Sequence, residues 1–282
     1  ISLKFFEPKK VLLIFSIFII AFSARAYLIS TTQKYNGFID LCTYIDSGQL
    51  VSRGINPYDF SDGLKTRNKL RIDNIAFNEV SCKDQHTWNI WASFNLPFNL
   101  LIFGAIDRVS SEPNTYRFAF ALFDCLLSVF VGMYVFKFWP GRFSFYRYLL
   151  ILGLSAFSPI LINWGVLMAE DKGTQILFMV AALYFAQSQS RKLRIYLGPI
   201  ALGASIAYKG LGVFLIPLCY HYAFRHSNIA LELKTPIRDR VIYLLLTFIF
   251  VFVWFIPFMP EVFNFIRFRL MGGVTLPVHA SI

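Results

Sequence analysis

The residues best suited to chemistry are ionisable groups set in or beside long apolar runs. Asp40 and Asp46 bracket Leu41-Cys42-Thr43-Tyr44-Ile45, and Gly54-Ile55-Asn56-Pro57-Tyr58 follows. On a helix Asp40, Tyr44 and Gly48 share one face, and Thr43 and Asp46 another. A carboxylate just beyond a membrane helix, backed by apolar and aromatic side chains, suits a general base, because partial desolvation raises its proton affinity. The plainer reading makes Asp40 a helix cap and Asn56-Pro57-Tyr58 a turn. Glu170-Asp171-Lys172 is a second acidic cluster, and acids at a helix start also complement its dipole. Lys209 interrupts an apolar segment, which marks it as functional unless it snorkels to the headgroups. Arg267 and Arg269, set among Phe263, Phe265 and Phe268, offer two guanidinium groups to clamp a phosphate or to meet lipid headgroups.

The elements that must position these groups are membrane helices. Hydrophobic residues make up 56% of the 282 and charged residues only 15%, against about 25% charge in a soluble domain. That composition excludes a disordered tail, a coiled coil and a disulfide-stapled secreted module. The net charge of +11 fits the basic loops expected on the cytoplasmic side of membrane helices, so no nucleic-acid partner is expected. No P-loop, G-x-G-x-x-G or G-x-S-x-G occurs, which leaves nucleotide-driven transport and serine hydrolysis without support. His86, His221, His226 and His279 show no metal-ligand spacing, so no metal or other cofactor is expected, a divalent cation being the disfavoured alternative. Asp124 lies inside an apolar segment, where helix–helix pairing is its expected role. Cys125 and Cys219 read as packing residues, whereas Cys42 and Cys82 fall where a disulfide is permitted.

Apolar segments lie at 11–29, 88–106, 116–136, 148–164, 173–187, 195–222 and 241–258. The first follows Lys4, Lys9 and Lys10, which places its start in the cytoplasm. Ala24-Arg25-Ala26 resembles a cleavage site, but the later segments favour an uncleaved first helix. Residues 30–87 then emerge on the far side, carrying seven basic and seven acidic residues. Ten of the 27 Lys and Arg residues sit in three linkers: Lys137/Arg142/Arg147, Arg191/Lys192/Arg194 and Arg225/Lys234/Arg238/Arg240. If 88–106 crossed the bilayer, alternation would put the first two outside, against the positive-inside rule. Trp88 and Trp91 suit the headgroup level, and Asn95, Pro97 and Asn99 break the apolar run, so 88–106 is expected to lie on the outer surface. Basic flanks on both sides of 195–222 require two passes or none, and a break near Gly203–Gly212 with Lys209 at the apex is expected. The fold class is thus an all-α, polytopic transmembrane helix bundle. It forms one transmembrane domain over 1–282, with 30–115 as an extracytoplasmic loop containing interfacial helices, among them the juxtamembrane helix 88–106. Gly272-Gly273-Val274 does not read like an ending, so the chain is expected to be a piece of a longer one.

The order of these features resembles the GT-C superfamily of integral-membrane glycosyltransferases, and among them the bacterial polyprenyl-phosphate-sugar-dependent, mannosyltransferase-like members. Asp40-Leu41-Cys42-Thr43-Tyr44 with Gly54-Ile55-Asn56-Pro57-Tyr58 is similar to the first-loop pattern D-[LI]-x-x-Y … G-x-[NS]-P-Y. The aromatic and proline-containing stretch from Trp88 through Pro97, Ser158-Pro159 with Glu170-Asp171, and Ala207-Tyr208-Lys209 through Pro217 extend the likeness over about positions 11 to 220. The second loop departs from the family's pattern, and members usually have more helices. The resemblance implies an inverting transfer of a sugar, mannose favoured, from a polyprenyl-phosphate donor to a lipid or glycan acceptor at an extracytoplasmic site. By position it makes Asp40 the base, and it assigns Lys209, Arg267, Arg269 and His86 to the lipid phosphate and Glu170 and Asp171 to sugar hydroxyls or the acceptor. Tyr44, Asp46, Asn56, Tyr58 and Lys172 complete the expected substrate-binding set. It implies a multi-pass protein of a bacterial inner or plasma membrane, with the endoplasmic reticulum as the other option and membrane lipids as partners. The alternatives from other classes are a lipid-carrier transporter or flippase and a non-catalytic membrane scaffold subunit.

Overall fold

The computed structural model describes residues 8–32, 39–58, 95–138, 145–168, 170–225 and 237–270, and among them every regular element is helical. The helices are α1 (Pro8–Thr31), α2 (Ile39–Ser52), α3 (Pro97–Asp107), α4 (Pro113–Phe138), α5 (Phe145–Ala156), α6 (Pro159–Ile162), α7 (Lys172–Ala186), α8 (Gly198–Lys209), α9 (Ile216–Arg225), α10 (Ile237–Phe252) and α11 (Glu261–Leu270). Wider π turns cover Asn163–Leu167 and Leu193–Leu197, and tighter 3₁₀ turns cover Leu211–Leu215 and Val253–Phe258. Among the described residues four segments are long and apolar enough to cross a membrane: Pro8–Thr31, Pro113–Phe136, Phe145–Leu167 and Ile237–Phe258.

Proline sets many of the boundaries. Pro8, Pro97, Pro113 and Pro159 open their helices, and Pro199 stands in the first turn of α8. The first turn has orphan N–H groups in any case, so the missing proline donor costs nothing there. This corrects the expected helix 88–106. Pro97 does not interrupt it but begins it, and Leu96 before it is extended (ψ 160°) as a pre-proline residue must be. Its part before 95 lies outside the described residues. Eleven residues reach about 16 Å, roughly half the hydrocarbon core, so α3 is too short to span. The segment expected at 148–164 is likewise bent, because Ser158 is held out of helical geometry by Pro159.

By backbone contacts the chain forms two compact units: residues 1–33, 117–206 and 210–249, and residues 34–116, 207–209 and 250–282. In the first unit α1 and α4 run antiparallel. Lys10 at the start of α1 sits 5.8 Å over the ring of Phe136, and at the other end Arg117 donates to the carbonyls of Ile29 and Thr32 at 3.3 and 3.1 Å. Leu13, Ile14, Ile17 and Ala21 of α1 form a core with Cys125, Tyr148, Leu152 and Ala156. A second core joins α7 to α10 through small residues, namely Ala181, Ala182, Ala186, Ala201, Cys219 and Ala223, with Leu202, Phe224 and Tyr243. Small side chains let helices approach closely where lipid offers no hydrophobic contrast.

The helix ends beside the basic linkers converge in this unit. Gln187 after α7 donates to the Tyr134 hydroxyl near the end of α4 at 2.9 Å. Arg191 grips Asp239 of α10 with both arms, at 2.8 and 2.6 Å, and Arg240 lies 5.7 Å over Phe224 at the end of α9. The start of α1, the ends of α4, α7 and α9 and the start of α10 therefore lie together. The chain leaving at 194 returns to the same end by 237, so α8 and α9 form a helical hairpin rather than one crossing. The break falls at Gly210, whose φ of +79° ends α8 in the left-handed geometry that glycine alone takes without strain.

In the second unit α2 and α3 lie side by side and parallel. Tyr44 packs on Phe103 with ring centres 4.5 Å apart, Gly104 sits against Val51, and Ser52 bonds to Asp107 at 2.6 Å. Phe98 of α3 meets Trp254 at 4.8 Å and Phe250 at 5.9 Å. Two outcomes test the hairpin. Gly210→Ala should cost about 1–2 kcal/mol in thermal unfolding, the usual penalty for a left-handed non-glycine residue. Single cysteines replacing Ser190 and Arg238 should react with an impermeant maleimide from the same side of sealed vesicles; opposite sides would rule the hairpin out.

Candidate functional site

The first-loop motif is built around one turn. Asn56 accepts from the backbone N–H of Tyr58 at 3.0 Å, closing the turn over Pro57. Its amide donates outward to Glu261 at 3.0 Å and to the Phe258 carbonyl at 3.4 Å, so the turn is tied to the start of α11. Tyr58 is buried at 2% exposure, its hydroxyl donates to the Asn95 carbonyl at 2.5 Å, and its ring meets Phe258 edge-on at 5.6 Å. Burial pushes the Tyr58 phenol well above its ordinary range, so it stays a protonated donor. Asn99 donates to the side chain of Asn95 at 2.9 Å, and both are buried. Asn56 and Tyr58, expected to bind substrate, therefore hold the loop in shape. Tyr44 is also buried, against Phe103.

Asp40 and Asp46 lie in α2, but their side chains, that of Arg269 and the whole of His86 fall outside the described residues, as does the Cys42–Cys82 pairing. Lys209 is the last residue of α8, partly exposed, and belongs to the same compact unit as α2, the Asn56 turn and α11. Arg267 is exposed on α11. The second unit thus collects Asp40, Tyr44, Asp46, Asn56, Tyr58, Lys209 and Arg267.

Glu170, Asp171 and Lys172 belong to the other unit and are engaged locally. Lys172 forms an ion pair with Glu170 and lies 5.0 Å over the Trp164 ring. Asp171 is fully buried at the head of α7, where its carbonyl accepts from the N–H groups of Thr174 and Gln175 at 3.1 and 3.3 Å. These contacts hold the turn into α7. Among the described residues no three His, Cys, Asp or Glu side chains gather as a metal centre requires.

Two buried charged groups stand outside the expected substrate-binding set: Arg25, and Asp124, for which helix–helix pairing was the expected role. Arg25, taken as part of a cleavage-like triplet, has no exposure, and Asp124 has 1%. Asp124 lies between Gly165 and Gly173, where a Cβ at either position would overlap its carboxylate. The available signal was the presence of ionisable residues in apolar helices, which rarely occur there without a role. Glu261 was missed, since no local pattern links it to a turn 205 positions away.

The Asn56 turn is open to test. Tyr58→Phe should cost about 1–2 kcal/mol by leaving the buried Asn95 carbonyl without its donor. Asn56→Ala and Glu261→Ala should be coupled by about 0.5–1.5 kcal/mol in a double-mutant cycle of thermal unfolding in detergent; strictly additive losses would show that the two side chains act independently. Compared with protein-family models, with curated proteins and with solved structures, the chain finds no match.

Proposed function

We propose that the chain is a membrane glycosyltransferase of GT-C type, moving a sugar, with mannose as first choice, from a polyprenyl phosphate to a lipid or glycan acceptor on the extracytoplasmic face. The observation that carries this reading is the grouping of the second unit. It brings into one compact body the α2 helix bearing Asp40, the locked Asn56-Pro57-Tyr58 turn, Lys209, and α11 with Arg267. Of these, the resemblance makes Asp40 the base and Lys209 and Arg267 phosphate contacts. All-helical architecture with four potential spans supports a lipid-linked donor, whose tail would lie against the apolar helices.

In this reading the Asp40 carboxylate takes the proton of the acceptor hydroxyl. The acceptor oxygen forms its bond to the anomeric carbon from the face opposite the phosphate. The carbon–oxygen bond to the donor breaks, and its electron pair leaves with the polyprenyl phosphate, which gains negative charge. Lys209 and Arg267 receive that charge, with Arg269 and His86 as further candidates. Asn56 and Tyr58 position the loop rather than touch the sugar. Glu170, Asp171 and Lys172 shape the entrance to α7.

The test is transfer from radiolabelled polyprenyl-phosphate mannose, then from other lipid-linked sugars, by membranes containing the wild-type chain and Asp40→Asn. The variant should keep its unfolding temperature and lose about 10²–10⁴-fold in rate, the usual contribution of a general base. Failure of every donor with the wild type would remove the transferase reading. Carrier movement across the membrane without transfer would support a flippase, and full tolerance of Asp40→Asn a scaffold.

A further inference from the structure

Arg25 and Asp124 place opposite charges inside the first unit, at 0% and 1% exposure. Asp124 projects from α4 toward the first turn of the fifteen-residue α7, where glycine at 165 and 173 leaves room for its carboxylate. The opening N–H groups of a helix have no partner within it and favour a negative charge. Asp171, at the head of α7, provides no side-chain cap. Antiparallel α1 and α4 bring the turn of Arg25 level with that of Asp124, and Ala21, one turn before Arg25, shares a core with Cys125, yet no ion pair joins Arg25 to Asp124 among the described residues. Arg25 spends Nη1 on the Ala21 carbonyl at 3.2 Å, while its Nε and Nη2, and Oδ2 of Asp124, have no protein partner. Thr174 Oγ1, beside Gly173, is equally buried and unpartnered.

Buried charges left without hydrogen bonds are costly, and far more so than the same pair when bridged. The chemistry of the lining selects the bridge. An anion is disfavoured by Asp124, and a metal cation by Arg25. What fits both ends is a small neutral molecule that accepts from the guanidinium and donates to the carboxylate, and buried waters with two to four polar partners do this in globular proteins. We infer that Arg25 and Asp124 form a water-bridged charge pair, an internal hydration site that ties α1 and α4 to the 163–167 turn and the head of α7. This does not depend on the glycosyltransferase reading.

Two measurements on the purified full chain in detergent test it. Arg25→Gln and Asp124→Asn should each lower the unfolding temperature by about 5–10 °C, and the double variant should regain at least half of the summed loss, because neither charge is then left alone. Additive losses would overturn the pairing. The wild-type chain supplies the second measurement, whatever the variants' folding yield. Cys125 and Cys219 are both fully buried, but only Cys125 adjoins the charge pair. Radiolytic footprinting, in which bound water generates the radical, should modify Cys125 several-fold faster than Cys219. Equal rates would overturn the bound water.

Discussion

Arg117 meets the constraint on which the first unit depends, that backbone carbonyls freed at helix ends must find donors where water is scarce. At 2% exposure its guanidinium donates to the Ile29 and Thr32 carbonyls, to the Thr32 hydroxyl at 2.7 Å and to the Val166 carbonyl at 2.9 Å. A helix leaves its last four carbonyls unpaired, and a π turn disturbs the ladder again. One planar, always-charged side chain with five donors answers both. Arg117 at one end and Lys10 over Phe136 at the other set α1 antiparallel to α4, and Ile29, Ala121 and Val166 close beside Arg117 as a small core. The same register carries Arg25 of α1 toward Asp124 of α4, so the two buried arginines share one geometry.

The second unit solves a related problem by different means. It has short helices, too short to bury a continuous apolar stripe, and relies on polar side chains that lock backbone to backbone. Asn56 closes its own turn and reaches α11, Tyr58 holds Asn95, and Ser52 holds Asp107. Around them the aromatic residues Phe98, Phe250, Trp254 and Phe258 supply bulk. These bonds fix the backbone of the Asn56 turn against α11 and Asn95. The polar residues of a loop motif then divide into those that hold the loop and those that meet a ligand.

That division bears on the proposed chemistry. Asn56, Tyr58 and Tyr44 are consumed by packing, and Glu170 and Lys172 by each other. In the second unit the cations that the proposed reading assigns to the phosphate are the partly exposed Lys209 and the exposed Arg267. Lys209 closes α8, and Arg267 lies on the exposed face of α11.

Much of the architecture was legible in the residues themselves. The helical class follows from long apolar runs, because unsatisfied backbone in lipid permits little else. The charge of the three basic linkers led to the expectation that they share one side of the membrane, and among the described residues the helix ends beside them meet, through the Arg191–Asp239 grip and the Gln187–Tyr134 bond. A break near Gly203–Gly212 was expected from the glycines between two apolar half-segments, and the structure puts it at Gly210. Helix starts were misread where proline was taken for an interruption, as at Pro97. What the chain order could not disclose is which polar residues face one another. Asn56 and Glu261 lie 205 positions apart, and Arg117 and Val166 lie 49. Such pairs carry no local spacing, because their geometry exists only after the helices have packed. Asp124 marks the limit: its burial was predictable from the apolar run around it, but the two glycines that admit its carboxylate and the arginine that answers it were set by tertiary structure alone.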